Sequence, residues 1–463
     1  MSTLQYGLNT SRNTLIAQTK VLDTIAHNVA NANTPGYSRQ EVQLVSVGDI
    51  RRGRNSGGGL LIGAGVNAER VSRTRFALYD EIYRNEIMNL NSFTKTEDLM
   101  NQVELLFDEP SERGLGEVIN RFFNSWQDVS NVPLDMAARQ SLYSTGLEMT
   151  DRFHHIFNQL QIMQADIDNE VSALPDRLNE ISSEIARLNA TIRIAGIQGD
   201  AGNDLRDKRD LLVDELSEFV DAKTVEHNDG TMTVIIGNIV IVESNDHATL
   251  SSVTRSSLKG DTKKTAIITE SGDEFFPSSG KLGALLEFRD VLLPDISNDL
   301  NKLTQAIVEN VNFEHRDGYG LDGLTQRNFF NPNFVNAFNI TLSEDVKNVR
   351  NIAVSGDGTK GNNENALKIS ELSKAKTIDR IFSISEFYNG LIASVGILGR
   401  EAKSGRINQE LLVGQIDSAR EGIKGVSIDE ELIKMIQTQY AYKAASRVVT
   451  VIDELLEIVV SLT

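Results

Sequence analysis

The sequence predicts a mainly α protein with a β-rich middle region. It is expected to comprise a coiled-coil terminal domain, an elongated helical bundle and an outer β-rich domain, nested concentrically. Three observations carry this expectation: an amphipathic stretch at each end of the chain, an apolar seam running from Phe153 to Ile192, and short hairpin-like segments near the middle. With 463 residues, two or three domains are expected rather than one core.

At the N-terminus, Leu4, Leu8, Ser11, Leu15, Gln18, Leu22, Ile25 and Val29 follow in alternating steps of four and three, the coiled-coil period. Ser11 and Gln18 weaken the seam. The helix should end near Asn31. Asn31 and Asn33 tolerate the left-handed backbone of a helix end, Pro35 pushes Thr34 into an extended conformation, and Pro35-Gly36 suits the centre of a type II turn before Tyr37. Glu41 to Val47 then alternates as a strand does, and Asp49 to Gly65 is rich in Arg and Gly. Gly63-Ala-Gly65 lacks both the apolar strand before it and the helix after it that a dinucleotide loop requires, so hairpin glycines explain it better.

Helical periodicity returns from Tyr79 to Leu106 and from Gly114 to Val129, where Phe122, Phe123 and Trp126 are expected in a helical core. The longest pattern runs Phe153, Phe157, Leu160, Gln164, Ile167, Val171, Leu174, Leu178, Ile181, Ile185, Leu188, Ile192. A helix from about Leu134 to Ala195 would be roughly 90 Å long. Pro175 removes one backbone donor and crowds the preceding turn, which predicts a kink or two coaxial helices. A further helix spans Asn203 to Val220. Hairpins follow at Thr231–Ile236 and Ile239–Val242, separated by Gly237-Asn238. Leu282 to Val311 is helical with an interruption at Pro294, Asp317 to Asn365 is irregular or β, and two helices are expected at Ser385–Arg400 and Asn408–Lys424.

Ser427 reads as the cap of a last helix, with Asp429, Glu430 and Glu431 favoured in its first turn by the helix dipole. That helix carries two apolar stripes. One contains Ile433, Ile436, Tyr440, Ala444, Val448, Val451, Leu455, Ile458 and Leu462. The other contains Leu432, Met435, Tyr442, Ala445, Val449, Ile452, Leu456 and Val459. The first stripe is expected to pair with the Leu4–Val29 seam in either direction, leaving the second for neighbouring subunits to cover. Both termini are expected to be loose in a free monomer and to order on assembly.

Composition narrows the function classes. The absence of Cys removes disulfides, zinc-thiolate sites and thiol catalysis. The net charge is −19; residues 1 to 75 hold nine basic and four acidic side chains, so the remainder carries −24 and nucleic acid is not an expected partner. No cleavable leader is visible, and no stretch approaches the ~18 apolar residues of a spanning helix. The six His show no metal-ligand spacing, and His154-His155 point about 100° apart on a helix. Gly280-Lys281 is followed by Leu where a phosphate loop needs Ser or Thr. Asp200, Asp204, Asp207 and Asp210, like Asp317 and Asp322, do not match a calcium loop and are expected to be solvated charge. No catalytic, metal or cofactor site is expected.

Ile25-Ala-His-Asn-Val-Ala-Asn-Ala-Asn-Thr-Pro-Gly-Tyr37-Ser-Arg-Gln40 resembles the N-terminal signature of the bacterial flagellar axial proteins of rod, hook and hook-filament junction. Ser38-Arg39-Gln40 looks most like the hook-associated proteins of the junction. The run from Phe122 to Asn131 with Pro133 and Arg139, Phe387 to Leu391, and Gly425 to Arg447 are similar to the same group. Rod and hook subunits typically lack the long bundle, and filament subunits lack the Asn33-Thr-Pro-Gly-Tyr37 turn; possession of both favours the junction. The resemblance implies a secreted structural subunit of the extracellular flagellum, cytoplasmic only before type III export. Its implied partners are its own copies in a ring or helical tier, hook protein below, a second junction protein and filament above, and an export chaperone.

The nested order divides the chain into three. Residues 1–33 with 425–463 form a terminal polymerisation domain, 34–222 with 281–316 and 380–424 a helical bundle bearing a β-hairpin, and 223–280 with 317–379 the outer domain. The expected assembly interface comprises Leu4, Leu8, Leu15, Leu22, Ile25, Val29, Asn33, Pro35, Gly36 and Tyr37 with Ile433, Ile436, Tyr440, Val448, Val451, Leu455 and Ile458. The alternatives are a rod or hook subunit, or a secreted effector that inserts amphipathic termini into membranes. Glu430, Glu431, Asp453, Glu454 and Glu457 on the last helix argue against a membrane.

Overall fold

A computed structural model describes residues 2–47, 65–256 and 263–461. The glycine-rich run therefore lies outside the described residues, apart from its last residue.

Helix α1 (Ser2–Asn31) stops where the local chemistry dictates. Thr34 C=O accepts from Tyr37 N–H at 3.1 Å, and Gly36 takes the left-handed backbone (φ 76°) that the turn requires at that position. Strand β1 (Gln40–Ser46) pairs antiparallel with β2 (Val66–Arg73) through a bulge at Gln43/Leu44.

The bundle is built on α4 (Met136–Ile197), 62 residues and about 93 Å long at the ordinary helical rise. The predicted seam is its buried face, except that Ile156 and Met163 take interior places while Phe157 and Gln164 sit at the edge. The helix runs through Pro175 without a break, which corrects the alternative of two coaxial helices. Pro175 is itself buried between Val171 and Leu178, so apolar packing on both sides offsets its missing hydrogen bond.

Helices α2 (Ala77–Phe107) and α9 (Ile384–Lys424) run antiparallel, as the pairs Asp80–Arg420, Glu97–Arg406 and Met100–Gly399 show. Two helices were expected at 385–424, but α9 is continuous. Gly405, which weakens helix propensity, lies under the Phe93 ring so closely that a Cβ would come within 2.5 Å of it. Packing against α2 thus holds the helix through its weakest residue. Helix α3 (Leu115–Asn131) packs on α4, with Trp126, Phe122 and Phe123 buried. Helix α5 (Asn203–Phe219) runs back along the end of α4. Helix α6 (Gly280–Glu287) reaches α7 (Leu293–Asp317) through a π turn at Phe288–Leu292. That wider turn sits where Pro294 would otherwise meet the carbonyl four residues before it.

Strands β3 (Ala222–Glu226), β4 (Met232–Ile236), β5 (Ile239–Glu243) and β6 (Asp246–His247) form an antiparallel meander, and β7 (Leu250–Ser256) pairs with β8 (Lys263–Thr269). Both sheets are clamped to α4 by polar helix residues. Asn179 bonds both the N–H and C=O of Leu250, Asn189 does the same for Met232, and Asp168 accepts from Thr265 N–H.

The β-rich character expected of 317–379 is not found. This stretch holds two 3-10 turns (Glu344–Lys347, Val349–Asn351), helix α8 (Glu364–Glu371) and isolated bridges such as Tyr319 with Ser355. Phe329, Phe330, Ile340, Val346, Ile352 and Val354 are buried around α3, α7 and the first turns of α4. Their spacing does not alternate, so no two-sided strand forms, and side chains such as Asn312 bond the backbone at Phe329 and Phe330 instead. Helix α10 (Ile428–Ser461) starts at Ser427, whose hydroxyl accepts from Glu430 N–H at 3.4 Å.

Candidate assembly interface

Helices α1 and α10 pack together and run antiparallel: Asn28 meets Glu431 at one end, and Gly7 lies against Ile452 at the other. On α1 the buried residues are Ser11, Ala17, Thr24, Ile25 and Asn28, mostly small or polar. Of the predicted seam, Ile25 is buried, while Leu4, Leu8, Leu15, Leu22 and Val29 are half-buried.

The stripe assignment on α10 is reversed. Glu431, Thr438 and Ile452 are buried, with Met435, Ala445, Val449 and Leu456 half-buried beside them, so most of the second stripe faces α1, while its Leu432 and Tyr442 are exposed. Ile433, Ile436, Tyr440, Val448, Val451, Leu455 and Ile458, the stripe expected to pair, are 44% to 68% exposed. Small side chains explain the choice: Ala445 opposite a helix with Gly7 and Ala17 allows close approach, which Tyr440 would prevent. The side chains of Val459 and Leu462 lie outside the described part.

The helix pair is joined to the bundle by polar contacts centred on the turn. Asn28 is fully satisfied: its amide donates to Gln40 C=O and to Glu431 Oε2, each at 2.9 Å, while its carbonyl accepts from Gln40 N–H and the Tyr37 hydroxyl. His27 Nδ1 lies 2.9 Å from Tyr37 Oη, and its Nε2 lies 3.3 Å from Asp204. Burial, then the carboxylates of Asp204, Asp207 and Glu431, hold the Tyr37 phenol above its ordinary range, so it stays a donor. Asn33 and Pro35 are exposed, and Gly36 rests against Leu211 of α5. Arg39 Nε reaches Glu431 Oε1 at 3.1 Å.

Beneath the turn lies a buried charge cluster that corrects the expectation of solvated aspartates at 207 and 210. Ser38, fully buried, donates its N–H and hydroxyl to the two oxygens of Asp207, at 2.9 and 2.7 Å. Arg73 Nη1 bridges Asp207 and Asp210 at 2.8 and 2.7 Å. Arg75 binds Asp80 and Asp210, Arg84 binds Asp214, and Arg420 binds Asp80 and Asp214 at 2.9 and 2.6 Å. Arg420 also stacks on Tyr83, 4.0 Å from the ring centroid. Burial alone would raise the carboxyls of Asp80 and Asp210, but the surrounding arginines overcome it and hold both below the usual range.

Four arginines and four aspartates from β2, α2, α5, α9 and the segment between β2 and α2 thus share one site, next to Ser38 of the post-α1 turn. Such a cluster contributes little net stability, because desolvation cancels much of the attraction, but removing any one partner would leave an uncompensated buried charge. In the sequence, Asp207, Asp210 and Asp214 at steps of three and four, with Asp204 one turn earlier, put a row of acids along one side of α5. That signal could have been read as a line of arginine acceptors. Among the described residues, no three His, Asp or Glu are grouped to hold a metal ion, and no helix is long and apolar enough to cross a membrane.

The family profile described as flagellar hook-associated protein FlgK helical domain matches residues 100–330. Profiles for flagella basal body rod protein and for the flagellar basal body rod FlgEFG protein C-terminal region match residues 8–37 and 423–462. The chain is 30% identical to flagellar hook-associated protein 1 of Bacillus subtilis, over 100% of this chain and 99% of that protein. It is 27% identical to the Salmonella typhimurium protein of the same name, over 70% of this chain and 59% of that protein. The solved structure of the flagellar hook junction protein FlgK from Burkholderia pseudomallei superposes with a TM-score of 0.64 at 16% identity, covering 74% of this chain and 100% of that one.

Proposed function

The chain belongs to the flagellar hook-associated protein 1 family, and from that premise we propose that it is a structural subunit of the bacterial flagellum that connects hook to filament at their junction. No catalytic role is part of this reading. The subunit self-associates as a ring or helical tier, contacts hook protein on one side and a second junction protein and filament on the other, and travels with an export chaperone before secretion.

The observation that carries the reading is the α1/α10 pair, which presents an uncovered apolar stripe while Asn28, Ser38 and Arg39 tie it to the bundle. Seven side chains, each about half-exposed, would contribute on the order of 5 to 10 kcal/mol when covered, before the entropy of association is subtracted. That gain is available only where neighbouring copies cover the stripe, so the pair is better ordered in the assembly than in the free subunit. In this proposal residues 1–33 and 425–463 form the polymerisation domain, and the bundle projects outward from it.

Deletion of the reading frame tests the function. Cells are expected to build hooks, shed filament protein into the medium and fail to swim. Normal swimming would refute the assignment.

A further inference from the structure

We propose that the cavity at the start of α4 binds a small oxyanion, with Arg139 and Lys360 as its cationic contacts. The cavity holds about 200 Å3 and is lined by Pro133, Arg139, Tyr319, Asp322, Ser355 and Lys360 together with glycines of two loops. Arg139 is 1% exposed, yet no carboxylate among the described residues pairs with it. Its Nε donates to Pro133 C=O at 3.0 Å and its Nη1 to Ile352 C=O at 2.8 Å, while its Nη2 has no hydrogen-bond partner among the described residues. A buried guanidinium compensated only by carbonyl dipoles is costly, and an anion beside it would relieve that cost. Burial draws its pKa down to about 10, in keeping with the missing counter-charge.

The other walls favour the same ligand chemistry. Asp322, the acid on the cavity wall, is already engaged by Arg327 Nη2 at 2.6 Å and by the Leu324 N–H. Lys360 and Gly361 are the central pair of a turn closed by Asn362 N–H on Thr359 C=O, so the turn leaves their own N–H groups unused at the cavity edge. An oxyanion with two or more oxygens can accept from Nη2, Lys360 and those amides together. Free phosphate and a carboxylate presented by a neighbouring molecule share that chemistry.

The full chain is titrated with sodium phosphate and with sodium acetate, against sodium chloride at matched ionic strength, following the Lys360 and Gly361 amide resonances. Saturable shifts are expected with at least one oxyanion and none with chloride. Lys360→Glu, which leaves the buried network intact, should weaken binding about tenfold or more. Tighter binding of phosphate identifies a free ion as the occupant, and saturation by acetate alone identifies a carboxylate. Arg139→Lys should also weaken binding; if it does not fold, Lys360→Glu carries the test. Absence of saturation by both anions, or an unchanged midpoint in Lys360→Glu, overturns the proposal.

Discussion

Asn28 and Glu431 stand 403 positions apart in the chain, and their buried side chains meet at 2.9 Å, joining the end of α1 to the first turn of α10. Replacing Glu431 with Ala strands both Asn28 and Arg39. The expected loss is about 2 to 3 kcal/mol, discounted for the partial exposure of Arg39. Amide exchange should accelerate in α1 and α10 and stay unchanged along α4.

The exposed stripe and the buried stripe of α10 respond differently to substitution. Ile436→Asp and Val448→Asp should change monomer stability by no more than about 0.5 kcal/mol, yet prevent incorporation into the junction. Ile452→Ala, facing Gly7, should loosen the hairpin in the monomer. A sedimentation assay of assembly, alongside urea unfolding, separates the two. Incorporation of the double aspartate variant at normal levels would contradict the role assigned to the stripe.

In the free monomer, residues 4–29 and 433–458 should exchange their amide hydrogens faster than in the assembled junction, where covering the exposed stripe adds protection. The short list of buried residues in α1 and α10 sets this expectation. Strong, equal protection in both states would count against assembly-linked ordering.

Acid should destabilise the protein in two windows. His315 is fully buried, with Nδ1 against Arg327 C=O and Nε2 accepting from Ala353 N–H at 3.0 Å, and burial lowers its pKa to about 4. The unfolded chain takes up that proton near pH 6.5, so stability present above this pH falls by about 3 kcal/mol as pH drops from 6.5 towards 4. The lowered carboxyls of Asp80 and Asp210 add stability that is present above their unfolded pKa near 4 and lost below it. Unfolding midpoints against pH should show the upper window flattened in His315→Gln and the lower one retained.

Gly280 opens α6 at φ 77°, and a Cβ there would sit 2.6 Å from the Phe219 carbonyl carbon. Both the backbone conformation and the neighbouring main chain oppose a side chain. Gly280→Ala should cost about 2 to 4 kcal/mol, measurable by thermal unfolding.

Sequence made legible whatever depends on neighbours in the chain. The stop at Asn31 follows from Pro35 and Gly36, and the course of α4 follows from a period sustained over eleven turns or so. Continuity of α9 was not legible, because Gly405 reads as a break until Phe93 is known to cover it. The orientation of α10 was hidden for a related reason: both stripes are apolar, and only the small residues of α1 decide between them. Asp207 and Asp210 read as solvent charge because Arg73 and Arg75, which bind them, lie more than 130 positions earlier. The pairing of the two terminal helices was thus legible in outline, while the charge cluster that attaches them to the bundle was not.

The antiparallel union of Ser2–Asn31 with Ile428–Ser461 imposes a schedule on the molecule. Helix α1 has no mate until α10 has been translated, so a product that stops short of α10 would leave α1 without its counterpart. Formation of this contact therefore waits on translation through α10.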